Sequence, residues 1–161
     1  MSSSEKLVKL VAKLAVIKVR GNVKVRSKVL ETMRILGLTR VNHCVVIDDA
    51  PPYRGMLQKA KDMLTWGEIR PEVLERLLRK RSRLVGNERL TDELVESQTP
   101  FSSIGEFAVA VHAHEAEFEM IPGLKKIFRL HPPRKGYKST KRPFKDLGDL
   151  GYRGEHINEL I

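Results

Sequence analysis

"HCVVIDDAPPYRGMLQKAKDML", residues 43–64, holds two different hydrophobic periods back to back. Residues 43–49 are a short β-branched apolar run bounded by polar side chains, which predicts a buried strand. Ala50, Pro51, Pro52 and Tyr53 then turn the chain. Beyond them Met56, Leu57, Ala60, Met63 and Leu64 recur on one helical face, so a helix follows the strand directly. The flanking segments decide what this strand and helix belong to.

Upstream, "LAVIKVRG" (14–21) alternates, with Ala15, Ile17 and Val19 on one side and Lys18 and Arg20 on the other, and reads as a half-buried strand ended by Gly21 and Asn22. Val29, Leu30, Met33 and Leu36 then repeat at helical spacing, with Gly37 where a left-handed C-terminal cap belongs. Downstream, "LTWGEI" (64–69) supplies a short third strand. The order is βαβαβ, which predicts an α+β fold: a small sheet with both helices packed on one face.

After Ile69 the pattern becomes helical. "RPEVLERLLRKRSRLVG" (70–86) has Pro71 in its first turn, Glu72 and Glu75 early, Arg79 to Arg83 late and Gly86 at its end, each placement favouring a helix. "SIGE" (103–106) offers reciprocal capping by Ser103 and Glu106, with Phe107, Ala108 and Val111 as the buried stripe of a further helix. A short closing helix is expected around Ile157, Leu160 and Ile161. The chain therefore divides into an N-terminal extension (1–12), read either as a frayed helix or as an extended arm, a βαβαβ core (13–70), a helical insertion (71–121), and a basic extension with a C-terminal segment packed on the core (122–161).

Charge is segregated along this plan. The net charge is +10, and residues 1–47 carry ten basic against two acidic side chains. Residues 91–121 hold seven acids and no Lys or Arg, whereas residues 122–145 hold nine bases and no acid. Two cationic zones flanking an acidic one suit a protein with one face toward a polyanion and another turned away. No apolar run approaches the roughly 20 residues a bilayer crossing needs. A single cysteine, Cys44, and the lack of a secretory signal pattern point to a reducing, cytoplasmic setting.

Two candidate anion sites stand out. Lys24, Arg26 and Lys28 crowd the start of the first helix, where free backbone amides already carry partial positive charge, an unfavourable arrangement that a phosphate would reverse. Lys18 and Arg20 on the adjoining strand would complete that site. The second is "HPPRKGYKSTKRPFK" (131–145), with Arg134, Lys135, Lys138, Lys141 and Arg142 among its cations, too polar to fold alone and expected to gain order against a polyanion. Tyr137 is the stacking candidate there, because RNA binders stack unpaired bases on aromatics while cations hold phosphates; Phe144, beside Pro143, reads as an anchor to the protein.

Catalytic and metal readings fare worse. His112, His114, Glu115, Glu117 and Glu119 in "VHAHEAEFE" are potential ligands, but residues two apart on a helix diverge, so no metal site is expected. His43 and Cys44 point to opposite sides of a strand, which leaves Cys44 a small buried hydrophobe. At least one of Asp48 and Asp49 is expected to cap the next helix. With no triad, dinucleotide fingerprint or phosphate-binding loop, neither a cofactor nor a small-molecule substrate is expected. The rivals to an RNA-binding role are DNA or chromatin binding, an RNA-acting enzyme using His43, Asp48 and His112, and membrane-surface binding through the Lys-rich N-terminus.

Several stretches resemble a known family. "KLAVIKVRG", "LETMRILGL", "NHCVVIDDAPPYRGMLQKAK" and "WGEI" are similar to the large-ribosomal-subunit protein family numbered thirty in bacteria, notably Leu36-Gly37-Leu38, His43, Val45-Val46 and the Arg54-Gly55-Met56 that follows the prolines. "NERLTDELV", "IFRLHPPRKGYKSTKRPF" and "GYRGEHINELI" resemble the continuation found in the archaeal and eukaryotic long forms. The resemblance implies an antiparallel three-stranded, ferredoxin-like sheet with two helices and a helical insertion. It also implies an archaeal source and a nonenzymatic role in the large subunit, binding its rRNA close to where 5S rRNA docks and touching neighbouring ribosomal proteins. Carried to matching positions, it assigns RNA contacts to Arg20, to the Lys24–Lys28 cluster, to Arg54 and to the 134–142 tract.

Overall fold

A computed structural model describes residues 12–161, so the expected N-terminal extension lies outside the described residues except for Ala12. The core follows the predicted order: β1 (Lys13–Lys18), α1 (Ser27–Leu36), β2 (His43–Asp48), α2 (Pro51–Lys59) and β3 (Leu64–Glu68). The insertion contributes α3 (Pro71–Arg81), α4 (Asp92–Gln98) and α5 (Ile104–His112). Then come β4 (Ile127–Arg129), β5 (Gly151–Tyr152) and α6 (Ile157–Leu160), with single 3₁₀ turns at Phe118–Met120, Phe144–Asp146 and Gly154–His156.

The sheet has five strands in the order β4-β2-β1-β3-β5, not three. The antiparallel three-stranded centre is as expected, with Ala15 opposite Val46 on β2 and Gly67 on β3. β4 adds to β2 antiparallel and β5 to β3 in parallel. The two additions span three and two residues, too short to carry a hydrophobic period of their own; they exist because an already formed strand edge offers them backbone partners.

Both faces of the sheet are covered, which corrects the half-buried reading of β1: from Leu14 to Lys18 every residue is buried. On one face Leu14, Val16, Val45, Leu64 and Trp66 pack under Met33 and Leu36 of α1 and Leu57 of α2, as predicted. On the other, Ala15, Ile17, Cys44 and Phe128 meet Leu74, Leu77 and Leu78 of α3 and Phe107, Ala108 and Val111 of α5. The insertion is therefore a second helical layer on the sheet. Phe107, Phe118 and Phe128 bind it to β4 through two edge-to-face contacts with centroids 6.5 and 6.2 Å apart.

Local signals set the helix ends. Gly37 takes the left-handed conformation, φ 85°, and its N–H with that of Leu38 satisfies the last carbonyls of α1. α3 stops at Arg81 rather than near Gly86, because Ser82 turns extended and its hydroxyl donates back to the Leu78 carbonyl. α4, absent from the sequence reading, is capped by Thr91, whose hydroxyl oxygen accepts the Leu94 N–H. Ser103 accepts the Glu106 N–H as expected, but Glu106 reaches past it to the Ser102 N–H. Neither Asp48 nor Asp49 caps α2, whose N-cap is Ala50; Asp48 pairs with Lys13 and Asp49 with Arg54.

The C-terminal segment locks against β3 at one tight point. A Cβ added at Gly67 would lie 1.9 Å from the Gly154 carbonyl oxygen, backbone that cannot swing aside. Around it the Asn158 amide donates to the Glu68 and Glu155 carbonyls and its oxygen accepts the Arg70 N–H. Gly67→Ala should accordingly push the C-terminal segment off the sheet and destabilise the protein by about 1–3 kcal/mol, the usual cost of overpacking. Chemical denaturation with circular dichroism measures this; unchanged stability would show that the contact yields freely.

Candidate nucleic-acid interface

The register of the strands determines where the loops emerge. Lys18, the last residue of β1, lies opposite Leu64, the first of β3, while Ile17 lies opposite Cys44 near the start of β2. His43 pairs with Arg129, and Thr65 with Gly151. One end of the sheet thus gathers the β1–α1 connection, the α2–β3 turn, the segment leaving β4 and the segment entering β5. Both cationic zones of the sequence, Arg20 to Lys28 and Arg134 to Arg142, leave the sheet at this end. The opposite end carries Asp48, Asp49 and Glu68, with Glu117 and Glu119 beside Lys13.

At the basic end, Arg20, Lys24, Arg26 and Lys28 are all exposed. Arg26 is the N-cap of α1, and neither a capping side chain nor an acid in the first turn offsets the helix's positive end. Lys24 holds a left-handed turn, φ 58°. Arg20, Lys24 and Arg26 border an open groove of about 520 Å³ that also takes in Lys59 and Asp62 of the α2 end. Amides, cations and an open concavity coincide there, a geometry suited to phosphate.

Lys18 does not join that group. It is 1% exposed, its ammonium donating to the Asn22 side chain and, at 3.3 Å, to the Thr39 carbonyl. Burial holds its pKa below the usual lysine value. Alternation put it on the polar side of β1, but that side is the one covered by α1 and α2. Lys18 braces the β1–α1 and α1–β2 loops from inside.

The stretch from His131 to Lys145 has no regular structure before the 3₁₀ turn at Phe144, and Arg134, Lys135, Lys138, Lys141 and Arg142 are exposed along it. It is nevertheless attached. Leu130 N–H donates to the Asn42 carbonyl, and the Tyr137 hydroxyl to the Asn42 side chain at 2.9 Å. Tyr137 is thus half-buried, its pKa raised by burial, and tethers the tract to the α1–β2 loop, where the sequence reading cast it as the stacking aromatic. Further on, the Asp149 carboxylate accepts the Ser139 N–H, and Asp149 and Leu150 N–H groups donate to the Arg142 carbonyl.

The base of this loop is held by Arg153. Its buried guanidinium donates to the Thr65 hydroxyl at 2.8 Å and to the Asp149 carbonyl at 2.9 Å, pairs with the Asp149 carboxylate at 3.2 Å, and lies 5.0 Å from the Phe144 ring centre. Phe144 also packs on His156, 5.3 Å between rings, which makes it the anchor the sequence reading expected.

Arg54 lies away from the basic end. It is exposed in the first turn of α2, and its guanidinium forks onto both oxygens of Asp49, the second contact at 2.9 Å. That pairing lowers the Asp49 pKa. Topology brings to the basic end further cations that are not among the expected RNA contacts. Arg76, Lys80 and Arg81 of α3 border a groove of about 530 Å³ shared with His131, Arg134 and Glu159. Lys80 and Arg81 fall among the late charges that favour the helix dipole and Arg76 between the two charge groups; only the return of the chain toward the tract gives them a second setting.

Of the residues weighed for catalysis or metal binding, His43 keeps a buried Nδ1 without a hydrogen-bond partner among the described residues, and the others have structural settings. His112 makes a 2.9 Å hydrogen bond between its Nε2 and the Ile69 carbonyl, His114 lies 3.5 Å from Asp48, and the Cys44 thiol is pushed up to about 12 by complete burial. Among the described residues no three His, Cys, Asp or Glu side chains converge as a metal would require.

A family profile described as Ribosomal protein L30p/L7e matches residues 14–64, the span from β1 to the start of β3. The chain is 51% identical over 147 residues to the large ribosomal subunit protein uL30 of Archaeoglobus fulgidus, covering 91% of this chain and 96% of the relative. It is 47% identical over 147 residues, with the same coverage, to the uL30 of Methanosphaera stadtmanae, and 51% identical over 144 residues, 88% and 97% covered, to that of Methanopyrus kandleri. With identity this high extending through the insertion and the basic tract, the chain belongs to the ribosomal protein L30p/L7e family.

Proposed function

We propose that this chain is a structural, nonenzymatic component of the large subunit of cytoplasmic ribosomes, where its basic end grips large-subunit rRNA. The observation that carries the reading is the convergence of two cationic zones, far apart in sequence, on one end of the sheet, while Asp48, Asp49, Glu68, Glu117 and Glu119 lie at the other. Arg20, Lys24, Arg26 and Lys28 hold phosphates at the start of α1; Arg134, Lys135, Lys138, Lys141 and Arg142 follow the backbone along the tethered loop. Arg54, already paired with Asp49, contributes less. The family resemblance supports the finer reading that this surface lies near the docking site of 5S rRNA, with the acidic end turned toward solvent or neighbouring ribosomal proteins.

Neutralisation of about eight phosphates would make affinity for a duplex-containing large-subunit rRNA fragment fall about 10³- to 10⁵-fold between 50 and 200 mM salt. Filter binding across that range tests it, with duplex DNA as competitor. A salt-insensitive complex, or preference for the DNA, would contradict the proposal.

Changing Arg134, Lys135, Lys138, Lys141 and Arg142 together to Ala should flatten the salt dependence by roughly one unit of log–log slope for each phosphate left without its cation. Circular dichroism should stay native, because the loop is held by Tyr137, Asp149 and Arg153 rather than by these side chains. An unchanged slope would remove the tract from the interface.

A further inference from the structure

Beside the basic end a groove of about 440 Å³ opens between the end of α2 and β5, lined by Trp66, Phe144 and Tyr152 together with Lys61, Lys141 and Lys145. A second groove of about 330 Å³ adjoins it, sharing Trp66 and Tyr152 and reaching Arg54. Three rings and three ammonium groups around one concavity are unusual in a chain with only 6% aromatic residues.

The sheet explains the arrangement. Trp66 and Tyr152 are register partners on adjacent parallel strands, so their side chains project from the same face. That is the face covered by α1 and α2, but the helical layer ends over Trp66, and Tyr152, one strand further out, is 54% exposed. Its ring is nonetheless fixed in place. The hydroxyl donates to Glu68 at 2.6 Å, a bond that pushes its pKa up to about 12 and keeps the donor proton on, and the β5 backbone is paired with β3. Phe144, at the other wall, is steadied by Arg153 and His156. An exposed aromatic that is already immobilised loses little freedom when something stacks on it.

We propose that this groove holds an unpaired nucleobase of the large-subunit rRNA, stacked on Tyr152, with Lys61, Lys141 and Lys145 on the flanking phosphates. The proposal rests on the rRNA-binding reading above and deepens it, giving the stacking role to Tyr152 where Tyr137 is tied down. Charge complementarity favours RNA over a protein partner: of the side chains lining the first groove only Asp62 is acidic, against the three lysines. Gln58, at the junction of the two grooves, is a polar group within them able to face a base edge.

Trp66 is the chain's single tryptophan, so its fluorescence reports on this site alone. A single-stranded hexamer of adenylate should quench it saturably, whereas inorganic polyphosphate, which supplies charge without bases, should not. Tyr152→Leu should weaken hexamer binding about 5- to 150-fold, the usual worth of one stacked base, while Tyr152→Phe, which keeps the ring and gives up only the Glu68 bond that steadies it, should weaken binding by less than Tyr152→Leu does. If Tyr152→Leu fails to fold, Tyr152→Gln, which keeps a polar group near Glu68 but no ring, decides with the same hexamer, a loss of at least about fivefold supporting the proposal and unchanged binding overturning it. Equal quenching by polyphosphate, or unchanged binding by Tyr152→Leu, would overturn it. So would a silent Trp66 in a protein that still binds the large-subunit rRNA fragment with steep salt dependence, a result that leaves the rRNA reading standing. A response only to RNA-free subunit proteins would make the groove a protein-docking surface and end the proposal. Absence of any rRNA binding would instead sink the broader reading.

Discussion

β1 is hydrogen-bonded along both edges and buried on both faces, and its neighbours on either side run antiparallel to it. That single constraint fixes the direction of the core connections. With β2 and β3 reversed relative to β1, the loop leaving β1 and the segments entering β2 and β3 share one end. β4, antiparallel to β2, and β5, parallel to β3, send the C-terminal tract to that same end. A polar distribution of charge follows from strand direction, without any long-range attraction having to assemble it. Indeed the cations repel one another, and it is the buried apolar layers on both sheet faces that hold them together.

The two helical layers divide the work. The α1–α2 layer completes the compact βαβαβ unit, which the family profile matches as far as the start of β3. The α3–α5 layer seals the opposite face, and through Phe107, Phe118 and Phe128 fixes the short strand from which the basic tract departs. The acids of the insertion are partly spent on internal tasks: Asp92 accepts the Ile104 N–H and pairs with Arg79, Glu106 accepts the Ser102 N–H just ahead of α5, and Glu119 pairs with Lys126. Their clustering is thus as much a consequence of helix ends and loop anchoring as of any external partner.

The βαβαβ core was legible because its elements are long enough to express their periods and carry boundary residues with a physical reason to be there, such as Gly37 at the end of α1 and the Pro51-Pro52 pair at the start of α2. Elements that depend on remote partners were not. β4 and β5 are defined only by the edges they join, and seven-residue α4 is too short to display a stripe. Lys18 misled because alternation records polarity, not what covers a face; its aliphatic stem is buried with that face while its amine finds oxygens in the neighbouring loops. Tyr137 and Tyr152 look alike in sequence, each one residue after a glycine and one before a cation. Only hydrogen-bond partners separate them: Asn42 draws the first inward, and Glu68 pins the second at the sheet's edge.

The Arg153 clasp gives the cationic tract an unusual status. A segment fastened at one extremity sweeps a large volume and forfeits that freedom wholesale when it is captured. This one is fastened at both extremities, by strand pairing at Arg129 and by the guanidinium on Asp149 and Thr65, and is pinned midway by Tyr137. Ring closure has already removed most of the backbone's wandering, so the entropy that capture by a polyanion would cost is small.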